Sequence, residues 1–173
     1  MSRPVTVIAI EGVLARYPAD PGRYASMPSI ESGMALLRGL NKVGPVILLS
    51  SFADTDKIHH WLQVQLITSK DYEKLVPRSH AHSDLDEISL RVQQINLVRY
   101  YSYPIGLFID SSSEVVAKAF SMGITSMLFA HPSYMRPEHR PDVEHSPRSW
   151  DSIERDAIRQ RELMATDRRR EEE

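Results

Sequence analysis

Continuous apolar runs alternate with helix-periodic stretches over the first 130 residues of the chain. Residues 5–10 are apolar and partly β-branched and stop at Glu11-Gly12, the pattern of a buried strand entering a turn. Residues 16–30 hold Pro18, Pro21, Gly22 and Pro28 and read as a loop. Residues 29–43 then space Met34, Leu36, Leu37 and Leu40 along a helix, with Ser29 or Ser32 as its cap and Gly44-Pro45 as its stop. A second buried strand over 46–49 ends at Ser50-Ser51. Asp54-Thr55-Asp56 opens a helix through Ile58, Trp61, Leu62 and Leu66. Residues 68–84 read as irregular, with a short helix at 71–75. A helix over 86–100 sets Ile88, Val92, Ile95 and Leu97 or Val98 on one face. A strand over 105–109 runs into Asp110, a helix over 113–122 stops at Gly123, and a fourth strand spans 125–129.

Strands that alternate with helices need βαβ crossovers, which predicts an α/β, three-layer, Rossmann-like core around a mostly parallel sheet. The strands are unbroken apolar runs, as strands covered on both faces should be. Ligands of such sheets sit beyond the carboxyl ends of the strands, which places Glu11, Ser50, Ser51, Asp110 and Glu114 along one rim. The chain then changes character. Residues 131–147 carry Pro132, Pro137, Pro141 and Pro147 and read as extended. Residues 150–164 read as a helix with a thin apolar stripe of Ile153, Ala157, Ile158 and Leu163, ending in the charged block 168–173. We therefore expect a core over 1–130 and, over 131–173, a Pro-rich extension with a charged C-terminal helix that is not an independent domain.

Composition narrows the functional classes. A chain of 173 residues with 42% apolar and 25% charged residues is an ordinary globular sequence. Its formal net charge of -2 supplies no field for nucleic acid or anionic lipid. The absence of cysteine excludes disulfides, thiol catalysis and cysteine-based metal centres, and suits the cytoplasm. The N-terminal run is too short for a secretory signal, and no stretch approaches the ~20 apolar residues of a membrane helix.

The rim residues also match a family pattern in order and spacing. Ala9-Ile10-Glu11-Gly12-Val13-Leu14 follows the first strand where a first motif of Asp-x-Asp-Gly-Thr-Leu type would lie. Ser50-Ser51 closes the second strand, and Arg91, with Arg99 as the alternative, precedes the last motif. Asp110-Ser-Ser-Ser-Glu114, followed by Ala119 and Gly123-Ile124, completes the set. Over residues 4–130 the chain resembles the haloacid dehalogenase (HAD) superfamily of phosphatases and phosphotransferases, with no room for a large cap. The resemblance implies an aspartyl nucleophile at position 9, an acid–base residue at 11, phosphate binding by Ser50, Ser51 and Arg91, and a Mg²⁺ anchored by Asp110 and Glu114.

Position 9 departs from that pattern. An alanine side chain offers no nucleophile and no charge to a divalent ion. Glu11 adds a methylene to the acid–base position, and a misplacement on that ~1 Å scale can cost about 10²-fold in rate. Mg²⁺ demands near-ideal octahedral geometry, so we expect no Mg²⁺ or a weakly held one. The expectation is a pseudoenzyme with vestigial Glu11 and Asp110, acting as a binding or interaction protein. The extension 131–173 would serve a protein partner or self-association, and the rim a phosphorylated ligand. The alternative is a Mg²⁺-dependent phosphatase or nucleotidase that uses an unusual nucleophile. A third reading, a receiver-like α/β module, needs paired acids after the first strand and fits Glu11 poorly.

Each rim residue also has a plain structural reading: Glu11 in a turn, and Ser50-Ser51 and Asp110 as helix caps. Other candidates carry less. His59-His60 are adjacent on a helix and point about 100° apart. His80-Ala81-His82 lack an acid or cysteine companion at fixed spacing, and Trp61 reads as packing. Tyr100-Tyr101-Ser102-Tyr103 has no basic groove beside it, so nucleic acid is not an expected partner.

Overall fold

The computed structural model describes residues 3–17, 26–82 and 84–130. The predicted extension and helix beyond residue 130, like the prolines at 18 and 21, lie outside the described residues.

The elements are β1 (Val5–Ala9), α1 (Glu31–Val43), β2 (Val46–Leu49), α2 (Thr55–Val64), β3 (Lys74–Val76), α3 (Glu87–Tyr100), β4 (Ile105–Asp110), α4 (Ser113–Ser121) and β5 (Ser126–Leu128). The strands make one sheet in the order β3-β2-β1-β4-β5. Every pairing is parallel, with Ile8 level with Leu48 on one side and Ile109 on the other. Ile8, Val46, Leu48 and Ile109 pack against one layer with Met34, Leu37, Ile58, Trp61 and Leu62 from α1 and α2. Val5, Val7, Ile47, Leu49 and Phe108 pack on the opposite face with Ile95 and Val98 of α3 and Val115 and Ala119 of α4. Strand periodicity therefore sorts one apolar run into two cores, as the three-layer expectation requires.

The helices begin where carboxylates and hydroxyls can receive backbone N–H groups. Asp54 accepts from Lys57 N at 3.1 Å, Asp86 from Ser89 N at 2.8 Å and Ser112 from Val115 N at 3.4 Å. α1 is the exception: Ile30 occupies its cap position without a side-chain bond, where the sequence suggested Ser29 or Ser32. Ser29 is held instead in an antiparallel bridge to Ala15, flanked by Arg16 N donating to Pro28 O and Ile30 N to Leu14 O.

Two further expectations are corrected. Residues 74–76 form the edge strand β3 on β2, where a short helix at 71–75 was expected. Asp71 folds back onto Thr68 N and Oγ1 and so closes a local turn ahead of the strand. On α3 the buried face is Leu90, Arg91, Gln94, Ile95 and Val98, while Ile88 and Val92 are half-buried and Leu97 is exposed. The polar pair in that list is what the fold brings to the rim.

Candidate functional site

The strand order reverses between β1 and β4. β1 is followed in the chain by its neighbour β2, whereas β4 arrives from β3 across the sheet. A parallel sheet opens a crevice at such a point. Glu11 follows β1, Asp110 ends β4, Ser50 follows β2, and Arg91 reaches over them from α3; all four are fully buried.

Glu11 is turned inward by a tight reversal. Ile10 N continues the ladder to Leu49 O, Leu14 N and Ala15 N both return to Ile10 O, and Gly12 N donates to Ala15 O at 2.7 Å. Gly12 makes the reversal with φ +89°, and a Cβ there would lie 1.8 Å from Ser111 Oγ, so only glycine fits. The Glu11 carboxylate accepts from Ser50 Oγ at 2.6 Å and from Ser51 N at 2.8 Å. Ser50 Oγ in turn accepts from Phe52 N at 3.1 Å.

Arg91 ties the three strand ends together. Its Nε donates to Asp110 Oδ2 at 3.0 Å, one terminal nitrogen to Gln94 Oε1 at 2.8 Å and the other to Ser51 Oγ at 3.0 Å. The latter nitrogen also lies 3.5 Å from Glu11 Oε2. Gln94, which sequence reasoning did not single out, spends its amide N–H groups on Ser50 O at 2.8 Å and Val76 O at 3.0 Å, the carbonyls past β2 and at the end of β3. The i, i+3 spacing of Arg91 and Gln94 on one helix was the only signal that could have paired them. Among the described residues no buried side-chain polar atom lacks a partner.

Burial pushes the Asp110 carboxyl above its ordinary range, against the Arg91 guanidinium and the Ser112 N–H, which draw it down. Burial opposes the charge on Arg91 as well, but the carboxylates of Asp110 and Glu11 outweigh it and hold the guanidinium above its usual value. Tyr17 stands near this cluster with its hydroxyl 2.7 Å from Glu87 Oε1. Burial, then Glu87, pushes that phenol well above its ordinary value.

The structure thus brings together Glu11, Ser50, Ser51, Arg91 and Asp110. Arg99 is exposed on the far part of α3 and donates to Met122 O at 3.0 Å, so Arg91 is the basic residue of the rim. Glu114 is exposed in the first turn of α4. Ala9 is fully buried one residue beyond the Ile8–Ile109 pair, level with Leu49 on β2. Trp61 is core, its Nε1 donating to Met27 O at 2.9 Å. Among the described residues no three His, Asp or Glu side chains come together as a metal site. None of their helices is long and apolar enough to cross a membrane.

No family model and no curated protein matches the sequence. Solved structures do match the fold. One is a chain of the Pnkp1/Rnl/Hen1 RNA repair complex, at 16% identity and a TM-score of 0.58 over 74% of this chain and 43% of that one. The present chain thus spans less than half of that neighbour's length. The D,D-heptose 1,7-bisphosphate phosphatase of B. bronchiseptica, solved with magnesium and phosphate, matches at 14% identity and a TM-score of 0.54, over 73% of this chain and 80% of that one. The HAD domain of the effector protein Lem4 from Legionella pneumophila, an inactive mutant, matches at 10% identity and a TM-score of 0.50, over 90% and 98%. By its sheet order, its rim and these likenesses, the chain has the HAD-like fold.

Proposed function

We propose that this chain is a HAD-fold pseudoenzyme, a binding or interaction domain that carries out no phosphoryl transfer. The observation that carries the reading is Ala9: it is fully buried at the end of β1, one residue past the Ile8–Ile109 pair, and its methyl group offers no nucleophile for covalent catalysis. The remaining carboxylates are committed to other partners. Glu11 is held by Ser50, Ser51 and Arg91, and Asp110 by Arg91 and Ser112 N.

The same residues fit Mg²⁺ badly. The ion requires several oxygens at near-octahedral angles. Here the two buried carboxylates share a guanidinium, position 9 supplies no oxygen from its side chain, and Glu114 is exposed on α4. A resident cation is already built into the chain. Extension 131–173 remains the proposed surface for a protein partner or for self-association. The neighbour that works within a multi-protein repair complex is consistent with such a role.

The test is Mg²⁺-dependent release of p-nitrophenol from p-nitrophenyl phosphate by the native chain, Ala9→Asp and Asp110→Asn. We expect no turnover by the native chain. Native turnover that disappears in Asp110→Asn would overturn the proposal in favour of a working phosphatase.

A further inference from the structure

The Glu11 carboxylate is bound in the way a protein binds a free oxyanion. Two donors from the end of β2, the Ser50 hydroxyl at 2.6 Å and the Ser51 N–H at 2.8 Å, address its two oxygens separately. A guanidinium lies 3.5 Å from the second oxygen. A hydroxyl, a backbone N–H and an arginine converging on one point are an anion-binding set, with no preference for the source of the oxygens. The backbone of Glu11 lies past the end of the neighbouring strand, β1. Adjacent strands lie about 4.8 Å apart, and the additional methylene of Glu over Asp lets the carboxylate reach across that gap. The glycine reversal at Gly12 aims it there.

We propose that Glu11 fills from within, as a permanent internal anion, the seat made by Ser50, Ser51 and Arg91, which the family resemblance gives to a small oxyanion of the phosphate class. This deepens the pseudoenzyme reading and rests on it: the site lacks a nucleophile and is also occupied. In the native chain the seat is closed to phosphate. Truncating Glu11 to alanine removes the carboxylate and leaves the Ser50 hydroxyl, the Ser51 N–H and Arg91 facing the space it occupied. Ser51 and Ser111 beside it are only half-buried, so the space lies just beneath the surface.

The experiment is a calorimetric titration of Glu11→Ala, Glu11→Gln and the native chain with inorganic phosphate, and separately with formate, at constant ionic strength. Glu11→Ala should bind one of these ions saturably and at least about tenfold more tightly than the other two proteins, the effect one charge-assisted hydrogen bond can have. In Glu11→Gln the neutral amide still fills the seat, so equal binding by that variant would reduce the effect to a change of net charge and overturn the proposal. Absence of binding by Glu11→Ala would also overturn it. If Glu11→Ala does not fold in chloride, refolding is followed by circular dichroism in formate and in phosphate; recovery supports the seat and its absence sinks it. The two readings fail separately. Native turnover of p-nitrophenyl phosphate removes the pseudoenzyme, whereas an inactive native chain with a non-binding alanine variant removes only the internal anion.

Discussion

Arg91 Nε and Asp110 Oδ2 meet at 3.0 Å with both side chains almost wholly out of solvent. An ion pair in that position does not earn its stability from Coulomb attraction alone, because desolvation opposes it. Its worth shows when one partner is removed. Arg91→Met would leave Asp110 and Glu11 buried without their shared cation. We expect a loss of about 3–5 kcal/mol of folding stability, the usual cost of an uncompensated buried charge. Urea unfolding followed by circular dichroism measures it, and a loss under about 1 kcal/mol, the scale of an exposed pair, would show that the cluster is solvated.

Magnesium separates the native chain from Ala9→Asp. The cluster holds two carboxylates and one guanidinium, so the native chain has little excess charge with which to retain a dication. Its melting temperature should not move with Mg²⁺. Ala9→Asp places a further carboxylate at a fully buried position at the end of β1 and should be less stable without metal. It should then recover with Mg²⁺, by about 2.7 kcal/mol at a concentration one hundredfold above the dissociation constant. Differential scanning fluorimetry over a Mg²⁺ series checks both, with Ca²⁺ as a comparison. A Mg²⁺-dependent rise in the native chain would contradict the account of Arg91 as resident cation.

Much of this architecture was legible because buried parallel strands are unbroken apolar runs. The residues that end such runs (Glu11, Ser50, Asp110) are therefore placed by topology before any contact is known. What escaped was of two kinds. β3 is a three-residue edge strand with Lys74 and Leu75 only half-buried, too short for any periodicity to register. α3 buries Arg91 and Gln94, so a search for an apolar stripe turned the helix towards Ile88 and Val92. A helix whose inward face includes a site looks like a surface helix in sequence. Arg91 was placed at the rim by the family resemblance, and Gln94 had no such guide. Glu114 was placed at the rim by sheet topology and the family pattern, and in the structure it is exposed in the first turn of α4.

Two glycines of α1 should respond oppositely to the same substitution. Glycine inside a helix normally costs about 1 kcal/mol relative to alanine. Gly39 is exposed and a Cβ there meets nothing within 4 Å, so Gly39→Ala should stabilise by about 0.5–1 kcal/mol. Gly33 is buried against the turn after β1, and a Cβ would lie 1.8 Å from Val13 O. Backbone cannot rotate away as a side chain can. Gly33→Ala should therefore destabilise by about 1–3 kcal/mol despite its better helix propensity. It would also press on the segment that aims Glu11. Chemical denaturation of the two variants in parallel tests the pair, and a stabilised Gly33→Ala would show that α1 does not approach Val13 so closely.

Acid should reach this protein first through its helix caps. The Lys57 N–H, donating to Asp54, and the Ser89 N–H, donating to Asp86, hold these carboxyls below their ordinary value of 3.8. A carboxyl depressed in the native state contributes stability that is present above its unfolded value and is lost as pH falls through the native one. The affected window therefore opens near pH 4 and extends downward. Asparagine can still accept the same N–H bond but cannot titrate. Asp54→Asn/Asp86→Asn should match the native chain closely at neutral pH and lose less stability between about pH 4 and pH 2, as the linkage requires. Melting temperatures across that range, at fixed ionic strength, make the comparison. Parallel acid limbs for the two proteins would show that these caps are equally protonated in the folded and unfolded chain.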